Sequence, residues 1–253
     1  FGFMLGSLLA ATVISPLLGG WRNVFFVYGA VALFFSLLWW TTQEKEQGNT
    51  NQSSGHASIG AALRYVTSIP NVWFLALATM GVGSCVGATL GYLPLYLRAQ
   101  GWSTTSADSA LASFHAVSML CAIPIALLSD RLGVRRGILM AGAAMVTTGV
   151  IMLALTHGSL VWVAVIIAGM MRDGFMAITM TSMIEVKGVG ARYAGSATGF
   201  LMAWGGLGNV IAPPLGNSLA SFSPNAPFFL WAGMAAAGFC MYLFLKKDTG
   251  ATR

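Results

Sequence analysis

Ala126-Leu127-Leu128-Ser129-Asp130-Arg131-Leu132-Gly133-Val134-Arg135-Arg136 is a charged turn set between two long apolar runs, at about 109–128 and 137–156. Each run is about as long as the ~20 largely apolar residues an α-helix needs to cross a bilayer. Two such segments joined by so short a polar stretch must double back on one side of a membrane. Asp130, Arg131, Arg135 and Arg136 are then held at that surface.

The rest of the chain repeats this pattern. Further apolar runs fall at about 1–18, 23–41, 72–97, 159–184, 195–220 and 227–245, which makes eight with the first pair. They read as helices, because a segment in lipid must satisfy its own backbone polar groups. Outer-membrane strands would be shorter and would alternate. Composition agrees: 57% of residues are hydrophobic and 8% charged, against about 25% charged in a soluble domain. The mean hydropathy is +0.76. The fold class expected is an all-α integral membrane protein with eight transmembrane helices.

The net charge of +6 contains no basic run longer than Arg135-Arg136 or Lys246-Lys247, which speaks against nucleic acid as a partner. Its distribution sets a topology instead. If the polar stretch 41–71 is cytoplasmic, that side receives Lys45, Arg64, Arg131, Arg135, Arg136, Lys187, Arg192, Lys246, Lys247 and Arg253. The opposite side receives Arg22 and Arg98. The C-terminus is then cytoplasmic, and Asn51-Gln52-Ser53 stays unglycosylated. Within this linker, Ala61 to Val66 reads as a short amphipathic helix on the membrane surface. Cys85, Cys121 and Cys240 have no metal-ligand spacing and suggest no disulfide framework. No metal, cofactor or catalytic group is called for. Phe1 lies inside an apolar stretch with no basic region before it, which reads as an incomplete sequence rather than a signal peptide.

An internal repeat organises the spans. Val13-Ile14-Ser15-Pro16-Leu17-Leu18-Gly19 aligns with Val210-Ile211-Ala212-Pro213-Pro214-Leu215-Gly216, and Gly2-Phe3 with Gly199-Phe200 at the same offset. Phe25-Phe26-Val27-Tyr28 aligns with Phe228-Phe229-Leu230-Trp231 slightly later. The first two helices are thus a copy of the last two, so four should precede Phe1. An intact protein would have twelve helices in two six-helix halves. Residues 1–41 would close the first half, 42–71 form a cytoplasmic linker, and 72–253 make up the second half.

At this point the chain resembles the major facilitator superfamily over nearly its whole length. The quoted turn is similar to that family's cytoplasmic G-x-x-x-D-R-x-G-R-R loop, with Ala126 for the first Gly and Val134 for an Arg. Pro16-Leu17-Leu18-Gly19-Gly20 is similar to the end of its fifth-helix Gly/Pro motif, with Ala11 and Thr12 where the preceding Gly would stand. The polar linker falls where the family joins its halves. The resemblance implies alternating access around a central cavity, with this chain supplying helices five to twelve. It also favours the charged turn as a gating latch: Asp130 near a helix N-terminus, with Arg131 or Arg135 able to pair with Glu185. The plain alternative is that these arginines only hold topology.

Ionisable residues inside spans mark function or fixed partners. Arg172 and Asp173 lie near the middle of the 159–184 run. Arg172 shares a helical face with Ala168, Gly169, Phe175, Met176 and Thr179, which suits a solute cavity. It either binds an anionic solute through its planar fork or is neutralised structurally. Asp173, about 100° round the helix, is either a proton acceptor or a counter-ion. His115 is either a proton relay or simply hydrogen-bonded. Trp204, Tyr92 and Tyr96 line the cavity or pack. The glycines Gly83, Gly87 and Gly91, with Gly199, Gly205, Gly206 and Gly208, suggest close helix packing. Pro16, Pro213 and Pro214 suggest bending.

The expected function is therefore secondary transport of a small, anionic solute, driven by protons or by the solute's own gradient, in the plasma (inner) membrane. A proton-coupled multidrug or small-molecule efflux pump of the same superfamily is the alternative. The sequence has no phosphate-binding Walker loop, no HExxH, no GxSxG and no His/Asp/Glu cluster, so a membrane-embedded enzyme or sensor is remote.

Overall fold

A computed structural model describes residues 6, 9–41 and 59–245. Gly2-Phe3 of the repeat, Lys45, Asn51-Gln52-Ser53, His56, Lys246, Lys247 and Arg253 lie outside the described residues. The chain divides into two units, 1–56 and 57–253. The described residues are helical, without a strand, and six of their helical segments are long and apolar enough to cross a membrane.

In the first unit a π-helical stretch, Ala10–Ile14, runs into a short α-helix, Ser15–Leu17. The chain then turns through Gly19 (φ 71°) and Gly20 (φ 153°), left-handed conformations that glycine adopts without strain. Helix α1, Trp21–Thr41, follows. Asn23 Nδ2 donates to Leu18 O at 2.7 Å, and Tyr28 Oη to Gly6 O at 2.6 Å, which fastens α1 to the preceding stretch.

The second unit holds eight helices among the described residues: α2 Ile59–Thr67, α3 Pro70–Ala99, α4 Thr104–Leu132, α5 Arg135–Leu155, α6 Leu160–Gly169, α7 Arg172–Ile184, α8 Gly190–Leu219 and α9 Ala226–Phe244. Their starts and stops follow local chemistry. Ile69 is extended before Pro70, which opens α3 where its missing N–H costs nothing. Ser103 caps α4 by accepting from Ser106 N at 3.2 Å. Gly133, left-handed at φ 62°, closes α4 with its N–H on Ser129 O at 3.0 Å. Only Gly133 and Val134 then separate α4 from α5, so the charged turn is as tight as its sequence implies. Several helices outrun the apolar stretches of the sequence, α4 reaching Thr104 and Leu132, because capping, not hydropathy, ends a helix.

The 30-residue α8 is not among the six segments apolar enough to span by composition alone, being rich in glycine and polar groups. At ~1.5 Å per residue it is still long enough to cross, and it packs along α3.

Helices α3, α5 and α9 are tied together at one end, and α5 and α9 again at the opposite end. At one end Tyr96 Oη donates to Asn225 Oδ1 at 2.8 Å, and Asn225 Nδ2 donates to Ala154 O at 2.8 Å. At the other, Arg136 donates from Nε to Tyr242 O (3.0 Å) and from Nη2 to Leu243 O (2.8 Å), capping the carbonyl end of α9. Between these ends the helices touch through glycine. A Cβ on Gly238 would lie 2.9 Å from Ala78 O, and Gly81 meets Met234 O in return. The stripe expected at Gly83, Gly87 and Gly91 differs: Gly83 and Gly91 face open space and Gly87 meets Asn209. The close α3–α9 contact thus uses Gly81, two residues away from the face the spacing suggested. On α8, Gly208 does meet α3, since a Cβ there would lie 2.8 Å from Met80 O, while Gly199 and Gly206 are open.

Replacing Asn225 by Ala leaves the Tyr96 hydroxyl and the Ala154 carbonyl without this partner. Loss of two such bonds should cost about 1–3 kcal/mol, read as a lower thermal unfolding midpoint in detergent. A midpoint equal to wild type would show that the α3–α5–α9 clamp is held elsewhere.

Candidate ionic site at a helix break

The 159–184 run is not one continuous helix. It is split into α6 and α7 with Met170 and Met171 between them, so Arg172 and Asp173 open a helix instead of sitting mid-helix. The segment approaches α4 closely on both sides of the break. A Cβ on Gly169 would be 2.9 Å from Phe114 O, and one on Gly174 would be 2.9 Å from Ile125 Cγ2. Ser118 of α4, itself fully buried, accepts the Asp173 N–H through Oγ at 3.1 Å. A side chain on a neighbouring helix thus satisfies a backbone donor at the break, as lipid demands.

The charged groups gather at the same point. Arg172 Nη1 lies 3.2 Å from Asp173 Oδ1 and 3.4 Å from His115 Nδ1. A guanidinium only donates, so Nδ1 is the accepting nitrogen of that imidazole. Sequence spacing sets Asp173 about 100° away from Arg172 on a regular helix. The long Arg side chain closes that gap at the first turn of α7. Asp173 also has the favourable sign for a helix N-terminus, and Arg172 the unfavourable one. His115 is buried, whereas the side chains of Arg172 and Asp173 are 29% and 44% exposed. The node is therefore open on one side.

The other expected site residues are engaged differently. Thr179 is fully buried and donates to Phe175 O at 2.8 Å, so its hydroxyl is not presented to a cavity in this conformation. Trp204 packs edge-on against Trp73 and Phe200, with ring centroids 5.4 and 6.1 Å away. Tyr92 donates to Pro224 O at 3.2 Å and packs against Phe228 and Trp231.

At the end of the unit that carries Arg64, Lys187 and Arg192, the charged turn meets the end of α7. Arg135 reaches Asp130 Oδ1 with Nη2 at 3.3 Å and pairs through Nη1 with Glu185, the residue that closes α7. A small cleft lined by Ser129, Asp130, Arg135, Ala177 and Thr181 lies beside it. Arg131 is exposed and takes no part in these ion pairs. Sequence reasoning missed two contributors. Ser118 was one hydroxyl among many on α4, and Arg136 looked like a topology signal, not a cap for α9. The fixed pairing of a buried Ser with a helix break has no one-dimensional signature.

Spanning helices packed around an ionic break define a polytopic integral membrane protein. The sequence matches the Major Facilitator Superfamily over residues 1–192 and again over 99–253, and the chain belongs to that family. It is similar to two Bacillus subtilis (strain 168) proteins. One is described as "Uncharacterized transporter YycB", 25% identical over 211 residues, covering 81% of this chain and 50% of that protein. The other is described as "Uncharacterized MFS-type transporter YuxJ", 27% identical over 256 residues, covering 98% and 62% respectively. The chain thus spans about half to three fifths of the length of these relatives.

Ser118→Ala removes the partner of the Asp173 N–H. A loss of about 1–3 kcal/mol is expected for a buried donor left unsatisfied, with Ser118→Thr restoring most of it. Thermal unfolding in detergent checks this, and equal midpoints for all three proteins would remove Ser118 from the break.

Proposed function

We propose that this chain is part of a secondary transporter that moves a small anionic solute by alternating access, with Arg172 as the contact for the solute's negative group. The supporting observation is the ionic node at the α6–α7 break, a partly exposed arginine at a helix N-terminus inside a membrane span. A guanidinium and a helix N-terminus together favour an anion, and half-helix N-termini serve anionic substrates in other transporters. Asp173 and His115, both in contact with Arg172, are the proposed proton-exchanging groups. Trp204, Tyr92 and Thr179 remain secondary candidates that would need a different conformation to meet a solute.

In this reading residues 1–41 end the first half of the transporter, 42–71 link the halves and 72–253 form the second. The basic end faces the cytoplasm of the cell that carries the protein in its plasma membrane. The Asp130–Arg135–Glu185 cluster is the latch on that side, with Arg131 beside Asp130 in the chain as a further candidate.

A cation-handling efflux pump of the same superfamily is the rival reading, favoured by the greater exposure of Asp173 than of Arg172. Ligand-induced stabilisation in detergent separates the two, since a ligand at 100 times its Kd adds about 2.7 kcal/mol. Small carboxylates and inorganic anions should stabilise the protein, cationic dyes should not, and Arg172→Ala should abolish the anion response. Stabilisation by dyes alone, lost in Asp173→Asn, would replace this proposal with the rival.

The latch has its own test. Asp130 and Glu185 are 67% and 55% exposed, so each pair is worth at most about 1 kcal/mol. Asp130→Asn should hardly change the unfolding midpoint. It should instead increase thiol labelling of a cysteine introduced at Ile178, a buried residue lining the adjoining cleft, by several-fold. Unchanged labelling would argue for arginines that only hold topology.

A further inference from the structure

Helix α2 lies outside the spans, and its structure serves more than linkage. Ala62 and Val66 are buried, whereas Ile59 is 87% and Leu63 is 43% exposed. One turn apart on the helix, Ile59 and Leu63 form an apolar ridge beside the buried face, and Arg64 points away from that face. The helix is docked on the start of α8 through aromatic contact: the Tyr65 and Tyr193 rings pack with centroids 4.5 Å apart and planes tilted by 30°. Tyr65 Oη also reaches the Gly188 turn, where a Cβ would lie only 3.1 Å from it. Gly188, at φ 94°, takes a backbone shape other residues adopt with strain. Arg192 sits with its guanidinium carbon 5.5 Å from the Tyr193 ring centre.

Arg64, Lys187 and Arg192, all exposed, lie on the two stretches that this aromatic contact joins, α2 and residues 186–193. The surface therefore combines a protruding apolar ridge with a cluster of positive charge, next to the ends of the spanning helices.

We propose that α2 and the 186–193 turn together form a seat for anionic phospholipid. Ile59 and Leu63 enter the acyl boundary, and Arg64, Lys187 and Arg192 meet the headgroup phosphates. A short helix with only two apolar residues to insert binds weakly by itself. Each basic side chain near an anionic surface adds attraction that fades within a Debye length. Anionic lipid then holds α2 against Tyr193, and so clamps the first turn of α8. This proposal rests on membrane insertion and is independent of which solute is carried.

The test uses the whole chain in nanodiscs of phosphatidylcholine alone and of phosphatidylcholine with ~30% phosphatidylglycerol, following amide hydrogen exchange. Residues 59–67 and 186–193 should exchange about tenfold more slowly with the anionic lipid, an effect reduced by salt, while α5 is unchanged. Arg64→Gln/Lys187→Gln/Arg192→Gln should erase the difference, and Arg64→Lys/Arg192→Lys should keep it. Equal exchange in the two lipids overturns the proposal. So does a triple variant that responds to phosphatidylglycerol as wild type does, because its charges would then not be the receiving groups.

Discussion

A backbone N–H that leaves its helix inside a membrane has no water to receive it. That constraint orders this structure from its ends to its middle. Where the 159–184 segment breaks, the Asp173 N–H goes to Ser118 of the neighbouring helix. Where α9 runs out, Arg136 collects the Tyr242 and Leu243 carbonyls. Where α5 runs out, Asn225 takes the Ala154 carbonyl. Each solution is a side chain from another helix, so satisfying the backbone also fixes which helices are neighbours. Packing then follows, because contacts as close as Gly81 with Met234 or Gly169 with Phe114 are possible only once the helices are held in register.

Much of the architecture was legible in the sequence because hydropathy and charge act locally. The apolar runs, the tight turn at Gly133, the short helix after the linker and the family resemblance all depend on residues adjacent in the chain. Arg172 and Asp173 stood out for the same reason, as charges within an apolar run. Contacts across helices were not legible. The helix break depends on Ser118, 55 residues from Asp173, and apolar periodicity does not record a missing hydrogen bond. The glycine stripe misled because i+4 spacing identifies a smooth face, not the neighbour that uses it: Gly81 and Gly238 make the contact, and Gly83 and Gly91 make none. Thr179 illustrates the remaining limit. It lies on the predicted face of the segment, yet its hydroxyl turns back to Phe175 O, as Ser and Thr often do inside helices.

The fastenings are unequal, and the inequality bears on movement. Helices α5 and α9 are bound at both ends by hydrogen bonds that are part-buried or include a guanidinium, and α3 joins them at its Tyr96 end. Helix α7 is held at its start by the Ser118 hydroxyl and the contact of partly exposed Arg172 with His115, and at its end by the exposed Glu185. Exposed pairs contribute little to stability and are exchanged for water at small cost. Met170 and Met171 separate α7 from α6. If one helix of this unit moves while the rest keeps its packing, the interactions favour α7, pivoting on Ser118. The charges at its two ends then respond together: opening the Arg135–Glu185 contact frees one end of the helix whose other end carries Arg172, Asp173 and their contact with His115.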